Sequence, residues 1–161
     1  MWTGWRLATI IAGFIVFVAV LFALYVRSAD EDYRRESHDA IARAKQEAGL
    51  TKIEAATKHV WEQSVWVVEG RDGTNTEWFV WLRDDGTVKE KASDGLTQSE
   101  AEQRFESGHP GKKIVRTLPG WFSGQPAWEI RYIDDAKEAR QAIVFLSFKD
   151  GSELKSYNLI A

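Results

Sequence analysis

Twenty consecutive positions, Leu7 to Val26, carry no charge and are built mainly from Leu, Ile, Val, Phe and Ala, with Thr9, Gly13 and Tyr25 as the milder members. At about 1.5 Å rise per residue, a helix of that length spans about 30 Å, the hydrocarbon thickness of a bilayer. The pattern predicts a transmembrane helix over residues 7–26 behind a short tail, residues 1–6. Trp2, Trp5 and Arg6 flank one end, and Tyr25 and Arg27 the other, where aromatic and basic residues favour the interface. A cleaved signal peptide would have a shorter apolar run and a small-x-small site after it. Here Tyr25-Val26-Arg27 follows, so the segment reads as a retained anchor. The count of Arg27, Arg34 and Arg35 against Arg6 and the α-amine favours a cytoplasmic carboxyl terminus. Long carboxy-terminal domains translocate largely regardless of such charges, and the expectation is a cytoplasmic tail with the bulk of the chain extracytoplasmic.

Beyond the apolar run, Asp30 to Ala48 is polar, and Ala40, Ile41, Ala44 and Ala48 recur at helical spacing, with Gly49 placed as a C-terminal cap. It reads as a solvated stalk. Four extended stretches follow: Ile53 to Trp61, Ser64 to Glu69, Glu77 to Arg83 and Thr87 to Lys91. Hairpin-type turn chemistry separates them at Arg71-Asp72-Gly73-Thr74-Asn75 and Asp84-Asp85-Gly86. Then the pattern restarts. Thr97 with Glu100 opens a capping box, and the helix it starts should end near Gly108. Strands are expected at Lys113 to Thr117, Pro126 to Tyr132, Gln141 to Phe148 and Glu153 to Asn158. Trp128, Ile130 and Tyr132 alternate with Glu129 and Arg131, as in a half-buried strand.

The two halves correspond at a nearly constant offset: Ile53 with Ile114, Trp66-Val67-Val68 with Trp128-Glu129-Ile130, and Asp85-Gly86-Thr87 with Asp150-Gly151-Ser152. Each unit is a helix followed by about four antiparallel strands, so the fold class is α+β. The units are placed at residues 27–95 and 96–161. Neither holds much core alone, and they are expected to pack together.

Composition narrows the function. The net charge of −3 is spread along the chain, and no basic face marks a nucleic-acid binder. Cysteine is absent, which removes disulfides, thiolate zinc sites and cysteine nucleophiles. His38, His59 and His109 sit on a helix, a strand and a turn without a second ligand at recurring spacing, and read as scattered surface histidines. No serine lies in a G-x-S-x-G elbow. The glycine-containing stretches at Gly70 and at Gly120 to Gly124 open no helix, so they read as hairpin turns rather than phosphate cradles. Asp84-Asp85 and Asp134-Asp135 are placed in turns, where Asp bonds backbone N–H groups. The reading is of no catalytic residue, no metal, no cofactor and no enzyme.

Six tryptophans fall in the body, and most are needed for the core of a small domain. Trp78 and Trp81 differ by three, so in a regular strand they point to opposite faces and at most one shares the core side. Trp121 with Phe122, and one of the Trp78–Trp81 pair, are the candidates for exposed partner-binding residues, since exposed aromatics anchor interfaces.

The second half resembles a PepSY-type domain, carried by Leu96-Thr97, Ser99-Glu100-Ala101, Gly108 to Ile114, Pro126-Ala127-Trp128-Glu129-Ile130 and Phe148-Lys149-Asp150-Gly151. The chain from residue 7 to 161 is similar to the YpmB/TseB-like proteins of Gram-positive bacteria, which join an amino-terminal anchor to two cystatin-like units. The resemblance implies a cell-membrane, single-pass, extracytoplasmic regulator of cell-wall elongation that binds a penicillin-binding protein, with no catalytic residues to carry over. One departure is the charged stretch Ile133 to Arg140, longer than the hairpin loop expected there. Two other functions fit the composition: a trans-acting inhibitor of an extracellular protease, since PepSY-type units occur in protease propeptides, and a glycan or ligand binder acting through exposed tryptophans. The polar stretch from Arg27 to Glu36 is a candidate site for a membrane protease.

Overall fold

Alternating apolar positions at period two dominate everything after Gly49, and the chain answers with two antiparallel meanders, each preceded by helix. The structure is a computed structural model that describes the backbone of residues 2–135 and 140–159, and the side chains of these except residues 2–13 and 23–30. Helix α1 spans Trp2–Ala48. Strands β1 (Leu50–Val60), β2 (Ser64–Asp72), β3 (Glu77–Arg83) and β4 (Gly86–Lys91) follow, then a single 3-10 turn at Ala92–Asp94. Helix α2 (Gln98–Gly108) leads into β5 (Lys113–Phe122), β6 (Gln125–Asp135), β7 (Arg140–Ser147) and β8 (Glu153–Asn158). Each sheet has its strands in sequence order, β1-β2-β3-β4 and β5-β6-β7-β8.

The chain divides into two units, Met1–His38 and Asp39–Ala161. In the first, most of the sequence-predicted span Leu7 to Val26, with its flanks Trp2, Trp5, Arg6 and Arg27, lies outside the described side chains. Among the described residues no helix is long and apolar enough to cross a membrane. The stretch of that span whose side chains are described, Phe14 to Phe22, is exposed at every position.

In the second unit the last turns of α1 are not a free stalk. Ala40, Ala44 and Ala48 lie on one helical stripe and pack on Val68, Val80 and Leu82 of sheet 1, joined by Leu50. The small side chains let the helix backbone sit close to the sheet. Gly49, at φ 69°, ends the helix by bonding its N–H to the Lys45 carbonyl at 3.2 Å. Lys89 donates to the Ala48 carbonyl at 2.6 Å, and Arg43 donates to the Arg83 carbonyl at 3.1 Å. The opposite face of sheet 1, with Val65, Val67, Phe79 and Trp81, shares the main core with Ala101 and Phe105 of α2 and with Trp128, Ile130, Tyr132, Val144 and Leu146 of sheet 2. The two repeats are thus built around one core. Sheet 2's far face, with Phe122, Ala127, Ile143 and Phe145, is covered by Trp61, Leu154, Tyr157 and Leu159.

α2 begins with the capping box expected at Thr97 and Glu100, both reciprocal bonds being present. Two expectations change. Strand β5 runs on to Phe122, five residues past Thr117, because the reversal is made by Ser123 and Gly124, both at positive φ (49° and 81°), as a two-residue hairpin requires. Similarly β6 continues to Asp135 and β7 starts at Arg140. Within the charged stretch Ile133 to Arg140, Ile133 pairs with Gln141 and Asp135 with Arg140, Asp134 is held by Lys112 at 2.9 Å and Arg140 at 3.0 Å, and residues 136–139 lie outside the described residues.

The β2–β3 turn is organised by one carboxylate. Asp72 accepts the Thr74 N–H at 2.8 Å, the Thr74 hydroxyl at 2.7 Å and the Thr76 N–H at 3.1 Å. Its second oxygen accepts the Trp78 indole N–H at 2.8 Å. These bonds, the Thr74 hydroxyl and Trp78 foremost, hold its pKa far below the ordinary carboxylate range. A depressed pKa stabilises the fold above the unfolded-state value of about 3.9, and the contribution is lost as pH falls below it. Asp72→Ala is therefore expected to lower the melting temperature at neutral pH, with the gap from wild type narrowing below about pH 4. A gap independent of pH would show that the carboxylate is not the organising group.

Candidate functional site

Two places in the second unit bring polar groups together where the sheets meet. The first is a buried joint. Edge strand β1 of sheet 1 carries His59 one residue before its end at Val60; the histidine is only 2% exposed and lies against β5 and β6 of sheet 2. Its Nε2 is 3.1 Å from an oxygen of Glu129, itself 3% exposed. The other Glu129 oxygen accepts from Arg116 at 2.7 Å. The Trp121 backbone N–H donates to His59 Nδ1 at 3.4 Å. Since Nδ1 accepts, the imidazole proton belongs on Nε2, pointing at the carboxylate. Both ring nitrogens are engaged and the ring edge faces Phe145, so this histidine is a structural donor rather than a free base. Burial pushes the Glu129 pKa up, but the His59 and Arg116 hydrogen bonds outweigh it, and the net direction is down.

Gly120 completes the joint. Its carbonyl accepts the indole N–H of the fully buried Trp81 at 2.7 Å, while its α-carbon faces the His59 ring so closely that an added Cβ would sit 2.5 Å from Cδ2. The second place is a cleft between the core-side face of sheet 1 and the first turn of α2, lined by Glu54, Glu69 and Glu77 with Phe79, Gln98 and Trp128.

The sequence-predicted partner-binding residues are placed differently. Trp121 and Phe122, expected at an exposed turn, are 5% exposed each, because β5 continues through them. Trp121 enters the main core under the Arg83 guanidinium, 4.2 Å from its ring centre, and Phe122 stacks on Phe145 at 4.3 Å on the far face of sheet 2. Trp81 is fully buried. Trp78 lies on the opposite face of β3, half-buried, with Lys89 over its ring at 3.8 Å. The pair does split between faces, but none of the four offers a fully exposed aromatic surface. His59 was expected at the surface and is instead buried. Its partner Glu129 and neighbour Gly120 carry no local motif, so only the register of the two sheets reveals them.

The amino-terminal part of this unit matches the family of the cell wall elongation regulator TseB-like domain, over residues 39–83. Residues 39–83 are thus similar to a TseB-like domain. The resemblance read from the sequence is thereby upheld. That TseB-like segment contains the end of α1, strands β1 to β3, His59 of the joint and all three carboxylates of the cleft. Among solved structures, the YpmB protein from Bacillus subtilis is similar at a TM-score of 0.70 and 24% identity, over 77% of this chain and 98% of that one, which establishes the fold beyond the matched segment. A putative lipoprotein from Clostridium difficile 630 overlaps at a TM-score of 0.39 and 18% identity, over 76% of this chain and 91% of that one. No curated protein matches the sequence at a significant level.

Proposed function

We propose that this protein is a membrane-anchored, extracytoplasmic and non-catalytic regulator of cell-wall elongation, acting by binding a wall-synthesis enzyme of the penicillin-binding class. The observation that carries the regulatory reading is the match to a TseB-like domain over residues 39–83. The binding mode follows from the architecture: two repeats share one core within one compact unit, Asp39–Ala161, which suits a rigid recognition surface. Burial of Trp81, Trp121 and Phe122 removes the aromatic platform on which a glycan-binding reading rested. The direct test is affinity between the full-length protein and a purified penicillin-binding protein. Saturable binding supports the proposal, and its absence across the elongation enzymes of the same cell sinks it.

Anchoring is supported by Phe14 to Phe22, apolar at all nine positions and exposed all round the helix. A helix that is apolar on every side requires an apolar surrounding, and lipid supplies one. Replacing Val16 and Val20 by arginine would cost insertion roughly 2.5–3.5 kcal/mol each at the helix centre. The double variant is expected to leave the membrane pellet after an alkaline wash, whereas wild type stays. Equal retention of both would defeat the anchor reading.

A further inference from the structure

The cleft described above has a volume of about 170 Å³, on the order of the ~150 Å³ cavity that admits a benzene-sized group. That is room for the end of one side chain. Phe79 and Trp128, both from the main core, form its apolar wall, and Gln98 of α2 with its N-cap Thr97 forms its rim. Thr97 is occupied by its capping box and Gln98 donates to Glu102 at 3.0 Å, so neither reaches across.

Its charges do not cancel. Arg71 bonds Glu54 at 2.8 Å and also bonds Glu77, which neutralises one carboxylate and shares its charge with the other. Glu69 stands apart. It is half-buried on β2, its pKa is pushed up by burial and then by Glu54, and no donor among the described residues offsets that shift. A carboxylate partly shielded from water without a donor costs stability, and such a cost persists where the group serves something other than the fold.

We infer that the cleft receives one basic side chain, lysine or arginine, presented by the protein partner, with its aliphatic stem along Phe79 and Trp128 and its charge on Glu69. The inference rests on the partner-binding reading above. The charge complementarity selects a cation. The apolar wall selects one carried on a stem, since lysine and arginine bury their methylenes while keeping the charged head on a polar group. A divalent metal fits poorly, because it demands several oxygen ligands and two of the three carboxylates here are engaged by Arg71.

Glu69→Gln keeps shape and removes charge. Loss of a charge-assisted bond predicts affinity for the penicillin-binding protein at least about tenfold weaker than wild type, and wild-type binding that weakens with salt. The melting temperature of the variant should equal or exceed that of wild type, because an unpaired half-buried carboxylate has been removed. A marked fall in melting temperature would make Glu69 a structural residue and overturn the inference. If wild type binds the enzyme and Glu69→Gln binds equally well, the cleft is not the contact, while the functional reading stands. If wild type does not bind at all, the functional reading fails, and the cleft is decided separately by titrating the full-length protein in micelles with Nα-acetyl-lysinamide. A saturable NMR shift of the Trp128 indole that is lost in Glu69→Gln upholds a basic-side-chain site, and no shift overturns it.

Discussion

Glu129→Ala is expected to lower the unfolding free energy by about 1–3 kcal/mol, the usual cost of leaving a buried hydrogen-bond donor without its acceptor. Two groups lose their acceptor at once: the His59 Nε2–H, whose side chain is 1% exposed, and the Arg116 guanidinium, whose side chain is 44% exposed. The histidine dominates the loss, because water can reach Arg116 but not His59. Glu129→Leu should cost less than Glu129→Ala, since leucine refills the volume against Phe145 without restoring the acceptor. A double-mutant cycle with His59→Ala should show coupling of about 0.5–3 kcal/mol, as for residues in contact. The pH dependence has a definite sign. The Glu129 pKa is lowered on folding, so its contribution is present above the unfolded value of about 4.3 and is lost as pH falls through the folded one. Urea unfolding at pH 7 and pH 3.5 measures both effects. A loss below about 1 kcal/mol at pH 7, or no coupling to His59, would mean that the pair does not hold the sheets together.

The fold was largely legible in the sequence. The capping box at Thr97, the Asp-Gly turns and the period-two alternation around Trp128 are local signals, and each produced the element it announced. The internal correspondence between Trp66-Val67-Val68 and Trp128-Glu129-Ile130 was sufficient to expect two equivalent sheets, and Val68 and Ile130 do lie on the helix-bearing faces of their sheets. What failed was burial at positions decided by contacts between the repeats. Trp121 and Phe122 looked like a turn because Pro119, Gly120 and Gly124 bracket them, yet Pro119 stands in edge strand β5, where a missing N–H is tolerated. Gly120 is there for close approach rather than for turning. His59 and Glu129 are 70 residues apart, and no spacing rule connects a polar residue on one edge strand with a polar residue inside another sheet. Glu69 was equally hidden, because its lack of a donor becomes visible only once Arg71 is seen bonded to Glu54 and Glu77.

Gly120→Ala isolates the geometry of the same joint without touching its hydrogen bonds. Gly120 is not among the residues at positive φ, so its backbone is open to alanine and any cost is steric. An added Cβ would lie 2.5, 2.6 and 2.7 Å from Cδ2, Nε2 and Cε1 of the His59 ring. The ring has nowhere to retreat: Glu129 holds Nε2, the Trp121 N–H holds Nδ1, and Phe145 stands 6.2 Å away at a right angle. The β5 backbone cannot yield freely either, because the Gly120 carbonyl is tied to the buried Trp81 indole. Overpacking of this kind costs about 1–3 kcal/mol, and this site belongs at the upper end. In a His59→Ala background the obstruction is gone. There the substitution should become neutral or stabilising by up to about 1 kcal/mol, through the reduced freedom of the unfolded chain. The sign of Gly120→Ala should therefore reverse with the residue at position 59, which no general loss of strand propensity would produce. Equal destabilisation in both backgrounds, measured by urea unfolding, would separate Gly120 from His59 and leave the close packing of β5 on β1 without its proposed cause.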